Sequence, residues 1–172
     1  MQWLIESIVA KVKLASDFCA WVGTDKDEQL RFYLGKAVAL EHLAADPKTL
    51  GTAANPLRYA VFSITPRAGE DVRCMDGSET RTYTMTVYFF ERSTTSALPC
   101  VEGEQLFAAI WQLPESGQLD GLSTAEPEWS FHSMYVMPNS EAGSPEPTVE
   151  GLWVLQRDYK IKIEAIPVPT PP

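Results

Sequence analysis

The segment Arg81 to Glu91 constrains this chain most. Its residues alternate without a break: Tyr83, Met85, Val87 and Phe89 fall on one side, and Thr82, Thr84, Thr86 and Tyr88 on the other. A period of two over so long a run belongs to a β-strand, because successive side chains of a strand point to opposite faces. A helix would scatter these apolar residues around its circumference. The fold must therefore contain a sheet with at least one strongly apolar face.

Further strands are legible around this one. Arg58 to Thr65 is rich in β-formers and stops at Pro66. Residues 66–80 hold Gly69, the pair Asp76-Gly77 and several charges, which predicts a long hairpin loop. Leu152 to Ala165 carries Trp153, Leu155, Tyr159, Ile161 and Ile163 against Asp158, Lys160, Lys162 and Glu164. Glu128 to Met137 predicts a strand with Trp129, Phe131 and Tyr135 on one side and His132, Met134 and Val136 on the other. A short strand over Leu30 to Tyr33 and a turn or two of helix over Ala37 to Ala45 are expected from the stretch before Pro56. Pro138 to Gly151 reads as a long loop.

Two helices accompany the strands. Residues 3–22 place Leu4, Ile8, Val12, Ala15 and Cys19 on one stripe, and Gly23 ends the helix. Pro99 opens a second helix running to about Leu113, with Leu106, Phe107, Ile110, Trp111 and Leu113 as its buried face. Glu102 and Glu104 lie in its first turn, where the helix dipole favours anions. On this reading Ile110→Asp buries a charge and unfolds the domain. The predicted fold class is α+β: an antiparallel sheet with an N-terminal helix and a second helix packed on one face, and long hairpin loops. Residues 1–166 form one domain and 167–172 a proline-rich tail, a length that suits a single core.

Composition excludes more than it selects. The net charge is −9, which disfavours tight binding to nucleic-acid phosphates, and no lysine or arginine cluster reverses it. Cys19, Cys74 and Cys100 are too widely spaced for a zinc site, and their odd number does not suggest a disulfide framework. Glu6, Lys11, Lys13 and Asp17 interrupt what would be the apolar core of a signal peptide, and no run is long enough to span a membrane.

Candidate sites are few, and each has a plainer explanation. His42 and His132 are far apart and have no second ligand beside them. The acidic stretch from Asp25 has Leu30 and Lys36 where a calcium loop needs glycine and glutamate. Pro169 to Pro172 fits a minimal PxxP pattern without a flanking arginine. No nucleophile elbow, phosphate loop or metalloprotease motif is present in the sequence. The expectation is of no catalytic residue, no metal and no cofactor. Met134, Val136, Leu152 and Val154 are expected to make the second sheet face apolar as well, a surface that two helices on the first face cannot cover.

The order of these elements resembles the tail-terminator and tail-completion proteins of long-tailed bacteriophages. Leu4 to Phe18 resembles their N-terminal helix. Residues 56–64 and 83–90 resemble their two hairpin strands, Gly103 to Leu113 the following helix, and Gln156 to Ile163 the closing strand. The linker from Asp25 to Asn55 and the loop from Pro138 to Gly151 are longer than the simplest members would have. The resemblance implies a structural virion protein without enzymatic activity. It implies a homo-oligomer, a hexameric ring, that caps the tail tube and meets the neck or connector proteins, located in the virion after assembly in the host cytoplasm. DNA would pass through such a ring without specific binding. Alternatives from the residues themselves are another neck or minor tail component, or a module binding a small molecule or peptide.

Overall fold

The structure is a computed structural model, and it describes residues 2–23, 32–34, 51–52, 55–66, 71–75, 77–92, 98–111, 129–136, 146–149 and 152–165. In chain order the elements are α1 (Gln2–Lys13), α2 (Ser16–Val22), β1 (Phe32–Leu34), β2 (Gly51–Thr52), β3 (Asn55–Pro56), β4 (Arg58–Pro66), β5 (Val72–Arg73), β6 (Glu79–Arg92), α3 (Val101–Ile110), β7 (Trp129–Val136), β8 (Glu146–Val149) and β9 (Leu152–Ala165). The predicted α+β class holds, and the three described helices pack on one face of the sheet.

Strands β4, β6, β9 and β7 lie side by side in that order, each antiparallel to its neighbour. The alternating segment at Arg81–Glu91 becomes the central strand β6. It pairs with β4 on one side and with β9 along its whole length on the other. The short strand expected at Leu30 to Tyr33 forms as β1, slightly later in the chain, and runs parallel to β4 at the sheet edge. The helix expected at Ala37 to Ala45 lies outside the described residues.

Three local expectations need correction. The N-terminal segment is two helices rather than one. Leu14 and Ala15 close α1 with bonds back to Lys11 and Val12, and Ala15 adopts an extended conformation before α2 begins. The stripe of Leu4, Ile8 and Val12 is buried, but Ala15 and Cys19 are only half-buried; Phe18, Trp21 and Val22 take the core positions of α2. A continuous helix would carry Trp21 well away from the stripe, and the break swings it back onto the sheet. Gly23 ends α2 as expected, at φ 73°.

The second correction concerns β7. A bulge between Phe131 and Ser133 shifts its register against β9. Positions 129 and 131 face Ala165 and Ile163, whereas positions 134 and 136 face Ile161 and Tyr159. One extra residue reverses the parity of a strand. Met134 and Val136 therefore lie opposite the positions that point to the helix-covered face, not the second face. Third, the Pro138 to Gly151 segment contains β8, which pairs with the start of β9.

The main core lies between the helices and one sheet face. Phe107 of α3 is its hub, with ring centroids 5.4 Å from Phe18, 5.6 Å from Phe62, 5.7 Å from Phe89 and 5.4 Å from Tyr159. Leu106 and Ile110, expected to be buried, are only half-buried, while Gly103, Phe107 and Trp111 face inward. Leu113 lies outside the described residues. The second sheet face divides in two. Leu57, Tyr59, Val61, Phe90 and Leu152 form an apolar cluster, with Tyr59 stacked on its cross-strand partner Phe90 at 4.6 Å. Beyond it the same face turns polar, where Thr84 pairs with Lys160 and Thr86 with Asp158.

Candidate functional site

The closest thing to a chemical constellation is an ionic cluster at the top of β4 and β6. Glu91 continues the inward face of Tyr83 to Phe89, so strand alternation forces a carboxylate into the core, where it is 4% exposed. Arg58, its cross-strand partner, donates to Glu91 Oε1 through Nε at 3.2 Å and Nη2 at 3.1 Å. The second carboxylate oxygen accepts the backbone N–H of Cys100 at 2.7 Å. Arg58 also stacks over the Trp21 ring, 5.6 Å from its centroid, and reaches Glu102 at 3.6 Å.

Cys100 explains the carboxylate. It stands just before α3 at φ 68°, and its side chain does not cap the helix. The helix start has N–H groups that its own turns cannot satisfy, and Glu91 supplies an anion to one of them. The cluster thus fastens β4, β6, α2 and α3 together. It does not make Cys100 a nucleophile. Burial, reinforced by the negative charge of Glu91, pushes the thiol up to about 12, so it remains protonated. The thiol instead donates to the Trp153 carbonyl at 3.5 Å.

A second buried pair joins Arg157 of β9 to Glu104 of α3 at 3.1 Å, each side chain 13% exposed. Beside it, burial and then the Glu104 charge push the Tyr159 hydroxyl far above its ordinary range. Both pairs bridge elements and are consistent with a structural role. Neither was legible as a pair, because their partners are 33 and 53 residues apart. The available signal was the presence of Glu91 and Arg157 on otherwise apolar strand faces.

Of the residues weighed in the sequence, Cys19 is half-buried and donates to the Val12 carbonyl at 3.4 Å, and Cys74 is exposed. Burial raises the Cys19 thiol, with Lys13 opposing it. His132 falls at the β7 bulge. His42, the Asp25 to Lys36 stretch apart from β1 at Phe32–Leu34, and the Pro169 to Pro172 motif lie outside the described residues. Among the described residues no group of histidine, cysteine, aspartate or glutamate could hold a metal ion. No described helix is long and apolar enough to cross a membrane.

Among the described residues, the second sheet face does not offer the open apolar surface expected from the sequence. Its cluster of Leu57, Tyr59, Val61, Phe90 and Leu152 is already at most 6% exposed within a single chain. Among the described residues, the exposed large apolar side chains are elsewhere. Val72 stands on β5 and Met75 in the turn between β5 and β6, Leu14 at the break between α1 and α2, and Leu98 before α3. The tip is well built: Gly77, at φ 87°, donates to the Cys74 carbonyl at 3.0 Å, and Cys74 donates to Ser78 at 2.8 Å. Arg73 and Arg81 both bind Glu79 at its base, at 3.1 and 2.7 Å, and lower its pKa. On the helix layer an open groove of about 250 Å³ runs between Leu14, Ala15, Ser16, Asp17 and Phe18 on one wall and Leu106, Ala109 and Ile110 on the other.

The sequence matches none of the protein-family profiles or characterised proteins with which it was compared.

Proposed function

We propose that this chain is a ring-forming structural subunit at the tail–neck junction of a long-tailed phage, of the tail-terminator or tail-completion type. The observation that carries the proposal is the hydrogen-bonded β5–β6 hairpin, which exposes Val72 on β5 and Met75 in its turn. Large apolar side chains at the end of a hydrogen-bonded projection are stabilised by contact with another protein surface, and water is a poor substitute. The element order supports the same reading: an N-terminal helical segment, a strand, a long hairpin, a helix and closing strands. A net charge of −9 suits a ring that lets DNA slide through without gripping its phosphates.

On this reading the subunit's work is positional. The Arg58–Glu91 and Arg157–Glu104 pairs hold helices and sheet as one body. The hairpin and the helix-layer groove then present contacts to neighbouring subunits, to the tail tube and to the connector. Light scattering and negative-stain electron microscopy of the purified protein, alone and mixed with tail tubes, test this. Rings, sixfold in the expected form, that cap tube ends are the predicted result. A strict monomer that never joins tubes overturns it.

A further inference from the structure

We infer that the hairpin tip of one copy seats in the helix-layer groove of a second copy. The two features are complementary and lie on different elements of the same chain. The knob is Val72 and Met75, the latter fully exposed and therefore not inserted in its own chain's groove. The socket is the groove walled by Leu14, Phe18, Leu106 and Ile110, with Leu14 itself 81% exposed.

Size and charge favour this occupant. Pockets for drug-sized ligands usually enclose ~300–1,000 Å³ and bury most of the ligand. The present groove, about 250 Å³ and open along its length, instead accommodates one or two large side chains. Asp17 is exposed on the socket wall, and the knob carries Arg73, whose side chain is 79% exposed. Arg73 already binds Glu79, but a guanidinium has five donors and can engage a second carboxylate. Lys13 beside the socket and Asp71 beside the knob are both exposed and repeat the complementarity with the signs exchanged. Opposite charges at the rim of an apolar contact set its register.

A knob and a socket are different patches, so the contact is heterologous, and repeated copies close into a ring or run on as a filament. The closed form rests on the ring function proposed above; the contact itself does not.

The native Cys74 provides the test, since it is exposed and adjoins Met75. Ala109 is exposed and lines the groove. Full-length Ala109→Cys protein, oxidised mildly with diamide, is expected to give a reducible ladder of covalent multimers on non-reducing gels. Adding Cys74→Ser abolishes the ladder. Independently, Met75→Asp weakens self-association in sedimentation velocity by about tenfold or more while leaving the thermal melt unchanged, because it places a charge in an apolar socket. Rings that form without the cross-link and tolerate Met75→Asp overturn the contact and leave the ring function standing. A monomer at every concentration overturns both. A ladder from protein that never binds tail tubes upholds the contact and removes the tail role.

Discussion

Gly103 packs directly against the Trp21 ring, and a Cβ at position 103 would overlap the ring atoms. Glycine here is a requirement of helix approach, not of backbone freedom. Gly103→Ala gains up to about 1 kcal/mol of helix propensity. Forcing the ring aside costs ~1–3 kcal/mol. We expect a net fall in melting temperature of a few degrees, at about 2–4 °C per kcal/mol for a chain of this size. A calorimetric rise would mean that Trp21 has room to move.

Phe107 and Ile110 lie one turn apart on α3 and have different roles. Phe107→Ala removes the ring on which Phe18, Phe62, Phe89 and Tyr159 converge, at a cost of ~3–5 kcal/mol. Ile110 is half-buried along the groove, so Ile110→Asp is milder than its sequence position suggests. Urea denaturation is expected to give a far lower midpoint for Phe107→Ala than for Ile110→Asp. The reverse order would place the core elsewhere.

Glu91→Gln retains the shape of the buried side chain but withdraws the charge shared by Arg58 and the Cys100 N–H. Breaking a fully buried pair costs ~3–5 kcal/mol. Because the Arg58 side chain is 28% exposed, water recovers part of this. We expect a loss of about 1–3 kcal/mol. Hydrogen exchange is expected to rise at the first turn of α3 more than in β9. Uniform protection across both would show that the carboxylate does not cap the helix.

The cysteines are expected to separate cleanly by reactivity. Near pH 8, Cys74 labels fast with a thiol reagent, Cys19 slowly, and Cys100 only after unfolding. The same raised thiol makes stability depend on alkali. An unfolded thiol ionises near its reference value of 9.0, whereas folded Cys100 holds its proton to about 12. The stabilisation is complete below the lower value and is lost as pH rises through this window. The urea midpoint is therefore expected to fall between pH 9 and 12, and less steeply in Cys100→Ala. An equal slope in both proteins would assign the effect to other groups, the raised Tyr159 hydroxyl first among them.

Local order alone determined much of this protein. The period of two at Tyr83 to Phe89, the stripe at Leu4, Ile8 and Val12, and the stop signals at Gly23 and Pro66 announce a sheet with helices on one face, and the strands and helices form where those signals place them. Such patterns survive because each is enforced by neighbours along the chain, within a turn or a pleat. What required the tertiary structure depends on partners distant in sequence. Ala15 breaks the first helix so that Trp21 can meet Gly103 and Arg58. The β7 bulge is defined only by its register against β9. Glu91 becomes intelligible once α3 brings the Cys100 N–H to it. Whether an apolar face is open or already covered also depends on the whole chain. The second-face cluster, apolar in sequence, is closed within one molecule, and among the described residues the exposed large apolar side chains lie at the β5–β6 hairpin, at the break between α1 and α2 and just before α3 instead.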